Sequence, residues 1–183
     1  MFTLAKRRSG LKGFTLVELL VVIAIISVLA TLLLLQLGVA RSKARDAKRI
    51  ADINQVRSAL EQYFDQTGFY LNTTDMSALS PIYLLNIPKD PLAQGCANVY
   101  DNSGSGAAKC YGYAFASLGV TSTTPTQFQI WAQLEQPNKN ALQSAAHLDS
   151  TGWGGATVDN SSVVIPTTCT PAGTDCVFDL GQK

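Results

Sequence analysis

Of 183 residues only one is histidine and four are cysteine, and no two cysteines form a C-x-x-C pair. Zinc-ribbon and thioredoxin-like chemistry therefore have little to stand on. Acid–base catalysis by histidine rests on His147 alone, which has no evident nucleophile or metal partner and reads as a solvated loop residue. Proline is absent from residues 14–66, so nothing in that stretch removes a helical N–H. Charge is absent between Glu18 and Arg41. What remains there is a long apolar run, interrupted from Leu19 to Leu35 only by Ser27 and Thr31.

The charges that do occur are unevenly placed. Lys6, Arg7, Arg8 and Lys12 precede the run, and Arg41, Lys43, Arg45, Lys48 and Arg49 follow it. After Ile50, five bases face eleven acids, so the body of the chain is acidic. That balance argues against direct nucleic-acid binding through the phosphate backbone.

From Leu19 to Ala40 a helix would rise ~33 Å, enough to cross a hydrocarbon layer of ~30 Å. A secretory signal has an apolar region of only ~7–15 residues and a cleavage site after it, and this run is longer and continues into another helical pattern. With bases on both sides, the charge rule sets no orientation. Glu18 fits poorly in a plain anchor, because a carboxylate facing lipid is costly.

The stretch "KGFTLVELLVVIAIISVLATLLL" resembles the class III signal of type IV pilins and of the pseudopilins of type II secretion. Both have a short basic leader ending in Gly, then Phe-Thr-Leu-x-Glu and an aliphatic run. The resemblance covers roughly residues 6–35 and requires the leader, Gly13, Phe14 and Glu18 to fall in register. It implies that a membrane-embedded aspartyl prepilin peptidase cuts between Gly13 and Phe14 and methylates the new amino group of Phe14. It also implies a filament, a homopolymer built by a cytoplasmic assembly ATPase and an inner-membrane platform protein. In that setting Glu18 can neutralise the amino terminus of a neighbouring subunit, so that a wrong axial offset would bury an unpaired charge. Many relatives carry a Pro late in the run; "LLLLQLGVA" has none, and Gly38 is the residue that could supply flexibility.

Beyond the run, Ile50, Ile53, Val56, Leu60 and Tyr63 or Phe64 recur at spacings of three and four, the pattern of an amphipathic helix. Lys48 with Asp52 and Arg57 with Glu61 are spaced i,i+4, and Gly68 is a stop at C′. One helix of roughly 53 residues is expected from residue 14 onward, ~80 Å long. The bases from Arg41 to Arg49 read as a collar facing solvent or lipid headgroups, or meeting acids of adjacent subunits. "RDAKRIADINQVRSALEQYFDQTGFY" and the later "IPKDP" also resemble the pilin and pseudopilin families, less specifically.

"TQFQIWAQLE" alternates Phe128, Ile130, Ala132 and Leu134 against polar residues and Trp131, the pattern of a half-buried strand. "CYGYAFASL" and "SSVVIP" are weaker strands, and residues 101–109 and 149–162 read as Gly/Ser/Asn loops. Outside the cytoplasm, Cys96, Cys110, Cys169 and Cys176 would form two disulfides. Three pairings are possible, and proximity favours Cys96 with Cys110 and Cys169 with Cys176. Asp101, Asp149 and Asp159 read as solvated loop acids rather than metal ligands. "GSGAAK" lacks P-loop spacing, and the sequons at Asn72 and Asn160 are of a kind that arises by chance in such sequence.

The expected fold is α+β: a long amino-terminal helix packed on a small antiparallel sheet, the pilin fold. The expected organisation is a cleaved leader at 1–13, a membrane and polymerisation helix at 14–40, an amphipathic helix at 41–67 and a head at 68–183. The expected function is structural, without enzymatic activity, cofactor or metal: a filament subunit held in the cytoplasmic membrane by a single pass before assembly and exposed on the cell surface afterwards. The alternatives are a pseudopilin of a secretion or DNA-uptake system and a membrane-anchored binding module that does not polymerise.

Overall fold

The computed structural model describes residues 13–93, 95–96, 98–102, 109–117, 124–161, 166–169 and 176–182, the side chain of Leu35 excepted. The chain divides into two compact units, Met1–Ala40 and Arg41–Lys183. One helix, α1 (Leu16–Thr67), contributes to both.

The first unit holds the apolar part of α1. Its two hydroxyls are satisfied within the helix: Ser27 Oγ donates to Ile23 O at 2.7 Å and Thr31 Oγ1 to Val28 O at 2.8 Å. Such back-bonding is what a polar side chain needs where no water is available.

In the second unit α1 presents Ile53, Val56, Ala59 and Leu60 to the core, all essentially inaccessible to water. The helix ends where Gly68 adopts φ +79° and its N–H donates to Phe64 O at 2.7 Å, the single-bond left-handed cap expected of a glycine at C′. The pairs Lys48–Asp52 and Arg57–Glu61 form, each at 2.8 Å.

The sheet comprises β1 (Gly112–Ala116), β2 (Gln127–Gln133), β3 (Gly154–Gly155) and β4 (Val177–Gln182), in the order β3-β1-β2-β4, with every pairing antiparallel. A short helix, α2 (Lys139–Ser144), follows β2 and is capped by Asn138, whose side chain accepts from Ala141 N. The inner face of the sheet supplies Tyr113, Phe128, Ile130, Ala132, Phe178 and Leu180 to one cluster with the α1 residues. This is the α+β arrangement of a long helix and a small antiparallel sheet.

Strand β2 departs from expectation in one respect: it is buried on both faces, not one. The cause is the segment from His147 to Asn160, which covers the outer face. Trp131, Val158 and Val177 form a second small cluster there. Gly112, paired with Trp131 across β1 and β2, makes room for the indole; a Cβ at that position would fall 2.1 Å from Trp131 Cε2. The cover is fastened by Asp179, a fully buried carboxylate. It accepts from Gln129 Nε2 (2.9 Å), His147 N (3.1 Å), Leu148 N (2.9 Å) and Asn160 Nδ2 (2.6 Å). Neutral donors in such number make burial of a carboxylate tolerable.

Other expectations shift accordingly. Residues 149–162 are not wholly loop, since they contain β3 and a bridge between Asp149 and Asp159. β4 and α2 are elements that the alternation and periodicity did not predict. "SSVVIP" lies for the most part outside the described residues, as does "GSGAAK" apart from Lys109. Asn160 is unsuited to glycosylation in the folded head, because its buried amide is committed to Asp179. Disulfides join Cys96 to Cys110 and Cys169 to Cys176, with Cα separations of 5.6 and 5.4 Å.

Candidate functional site

Four residues define the start of α1: Gly13, Phe14, Thr15 and Glu18. Gly13 and Phe14 lie before the helix, Phe14 with 87% of its surface exposed. Thr15 then closes a reciprocal cap with Glu18. Glu18 N donates to Thr15 Oγ1 at 3.2 Å, while Glu18 Oε2 accepts from Thr15 N and from Thr15 Oγ1, both at 2.8 Å. This is a capping box, T-x-x-E, and it satisfies donors that the first helical turn leaves open. A carboxylate in the first turn also sits favourably in the helix dipole. The acid that looked out of place in an anchor is therefore oriented by its own chain. Thr15 was the residue missed by sequence reasoning, although the T-x-x-E spacing was there to find it.

From Phe14 to Leu34 every large apolar side chain is exposed. The helix passes the length and composition required of a membrane span. Fourteen exposed aliphatic side chains on one helix, with Phe14 just before it, are not a soluble surface; patches of this extent mark contact with lipid or protein.

At the other end of the candidate region, the basic collar is not what its composition suggested. Arg49 is fully buried and donates to Asp46 Oδ1 (2.7 Å), Asp90 Oδ2 (2.5 Å) and Glu135 Oε1 (2.6 Å). Arg45 pairs with the same Glu135. Asp46 in turn accepts from Glu135 N (2.9 Å) and Gln136 N (2.9 Å), and Tyr111 OH donates to Asp52 Oδ2 at 2.7 Å. The partners of Arg45 and Arg49 thus belong to their own head, where a solvated or lipid-facing collar was expected; Arg41, Lys43 and Lys48 remain exposed. Burial works against the Arg49 charge, but the bonds to Asp90, Glu135 and Asp46 outweigh it and raise its pKa. Glu135 shows the mirror balance: burial favours its neutral form, yet Arg45 and Arg49 hold its carboxyl below the usual range.

Asp101 forms an isolated antiparallel bridge with Gly112, and Asp149 and Asp159 make local turns. Asp149 Oδ1 accepts from Thr151 N at 2.8 Å, and Asp159 Oδ1 from Ser161 N at 3.0 Å. Among the described residues no cluster of three His, Cys, Asp or Glu side chains is assembled. His147 adopts φ 52°, and its ring nitrogens meet no hydrogen-bond partner among the described residues.

A sequence-family model described as the prokaryotic N-terminal methylation motif matches residues 8–34, the stretch that holds Gly13, Phe14 and Glu18. Over 92 residues, 49% of this chain and 69% of the relative, the chain is 37% identical to the type IV wide pilus major component PilA4 of Thermus thermophilus. No solved structure is significantly similar. The long helix with its exposed apolar half, the small antiparallel head, the methylation motif and the relative agree: the chain belongs to the type IV pilin family, as a pilin-like structural subunit.

Proposed function

We propose that the chain is the structural subunit of a type IV pilus-like extracellular filament. It is inserted in the cytoplasmic membrane by α1, cut between Gly13 and Phe14 by a prepilin peptidase, methylated on the Phe14 amine and polymerised with copies of itself. The observation that carries this reading is the exposed apolar half of α1 with a single carboxylate, Glu18, in its first turn. The likeness to a type IV wide pilus major component supports a pilus over a secretion pseudopilin.

The physics follows from those residues. In the membrane the apolar half of α1 is already among lipid tails, so moving it into a filament core gains little hydrophobic energy. Assembly therefore needs work from outside the chain, the role assigned to an assembly ATPase and a platform protein. Register comes from charge: cleavage creates an ammonium at Phe14, and Glu18 of a neighbouring copy is the carboxylate that meets it. Because Thr15 holds Glu18 in a defined rotamer, the acid is presented in one orientation. The Arg49 cluster keeps the head's own charges paired within the head.

The test is Glu18→Val. The variant is expected to insert and to be cleaved, but to enter filaments poorly, as measured by the yield of sheared filaments against cellular pilin. Normal yield would refute the pairing role.

A further inference from the structure

The bases that follow the apolar half of α1 are not equivalent. Arg45 and Arg49 are closed on Asp46, Asp90 and Glu135, and Lys48 is paired with Asp52. Lys43 is exposed and forms no ion pair among the described residues. A second base joins it from far along the chain. Lys139, the first residue of α2, is likewise exposed and unpaired among the described residues, and it lines the same recess of about 360 Å³ as Lys43.

The frame of this recess is fixed. Asp46, the one acid in its lining, is 2% exposed and already engaged. It accepts from Arg49 Nη1 at 2.7 Å, from Glu135 N at 2.9 Å and from Gln136 N at 2.9 Å. Those bonds neutralise the acid and fasten residues 135–136 to α1, so the charge left open around the recess is that of the two lysines. Gln136 and Asn140 add side-chain amides to the lining.

Height along α1 says what such a recess meets. Lys43 lies three residues after Ala40, a rise of ~4.5 Å along one continuous helix. The headgroup layer on each side of a bilayer is ~5–7 Å deep, so a lysine at that height reaches it. Lys48 lies ~12 Å beyond Ala40, past that layer.

We propose that the recess between Lys43 and Lys139 binds the headgroup of an anionic phospholipid on the side of the membrane where the head lies. Two ammonium groups suit a phosphodiester, and the neighbouring amides suit the ester oxygens and hydroxyls of a headgroup such as phosphatidylglycerol. The volume falls within the ~300–1,000 Å³ of small-ligand sites. The inference rests on the reading that α1 spans a membrane before assembly. The lipid contact then holds the head against the membrane and is given up when the subunit leaves.

The experiment is native mass spectrometry of the full chain released from nanodiscs of equal parts dioleoylphosphatidylglycerol and dioleoylphosphatidylcholine. The wild type is expected to retain phosphatidylglycerol in preference, by about tenfold or more. Lys43→Gln and Lys139→Gln should each lower that preference about fivefold, the contribution of one base at an anionic surface. Lys48→Gln should leave it within about twofold, and the bases of residues 6–12 contribute equally in every variant. Glycerol 1-phosphate added in excess should not displace the lipid. A chain that enters phosphatidylcholine nanodiscs but retains the two lipids equally overturns this inference alone. So does an unchanged preference in Lys139→Gln, a loss in Lys48→Gln as large as in Lys43→Gln, or displacement by the soluble phosphate. A chain that does not enter the nanodiscs contradicts the membrane reading itself.

Discussion

Two parts of one helix treat their apolar residues in opposite ways. Between Arg41 and Thr67, α1 presents Ile53, Val56 and Leu60 to a core where they have no contact with water; between Phe14 and Leu34 every large apolar side chain is exposed. The first pattern is satisfied within the chain and the second is not. The difference shows which surface is complete in a single copy and which requires lipid or protein around it. The same contrast holds for charge. Arg49 is closed on Asp46, Asp90 and Glu135 in its own head, whereas among the described residues Glu18 is held by its near neighbour Thr15 alone.

The largest way to break this comparison is to remove the buried cation. Arg49→Met leaves Asp46, Asp90 and Glu135 crowded without their shared partner, and loss of one member of a buried pair costs ~3–5 kcal/mol. Thermal melting of the full chain in detergent, followed by tryptophan fluorescence, should show the head strongly destabilised. Glu18→Val should leave the same melt unchanged.

A matched pair of truncations sharpens the contrast in apolar packing. Leu60→Ala opens a cavity in the core and should cost the head ~2–5 kcal/mol. Leu29→Ala, the same chemistry on the exposed half of α1, should not move the head's melting point. A shift of similar size from both would mean that the two halves are not energetically distinct.

A smaller effect lies in pH. Burial raises the phenol pKa values of Tyr100, Tyr111 and Tyr113, for Tyr111 with added help from its bond to Asp52. A raised folded value means that their stabilising contribution is complete below the ordinary phenol pKa of ~10 and is lost as pH rises beyond it. Glu135 runs the other way: its folded value is lowered, so its contribution is present above the ordinary carboxylate range and is lost as pH falls through the folded value. Melting points measured across pH should therefore fall at both extremes. The absorbance of these phenolates should appear only together with unfolding; phenolate signal from all tyrosines in a folded head would contradict their burial.

Much of α1 was legible locally. Its apolar run, its period of three and four, its i,i+4 pairs and its glycine stop all lie within a few residues of the features they determine. β2 was legible for the same reason, through the alternation from Phe128 to Leu134. The cover over its outer face was not, since it depends on Asp179 meeting Gln129 and Asn160 from distant parts of the chain. β4 was hidden because its alternation is short, with only Phe178 and Leu180 facing the core on either side of Asp179, and β3 because it consists of two glycines. The Arg49 cluster escaped because Asp90 is 41 residues away and Glu135 is 86. Within the candidate site, Gly13, Phe14 and Glu18 came from a motif. The role of Thr15 needed only the geometry of a helix start.

The central claim is that the chain leaves the membrane as a processed subunit of a filament. Mass spectrometry of the protein sheared from cells tests it most directly. The account predicts a subunit beginning at Phe14 with a methylated α-amine, recovered in the filament fraction. A chain that retains residues 1–13, or that is found only in the membrane fraction, would contradict it.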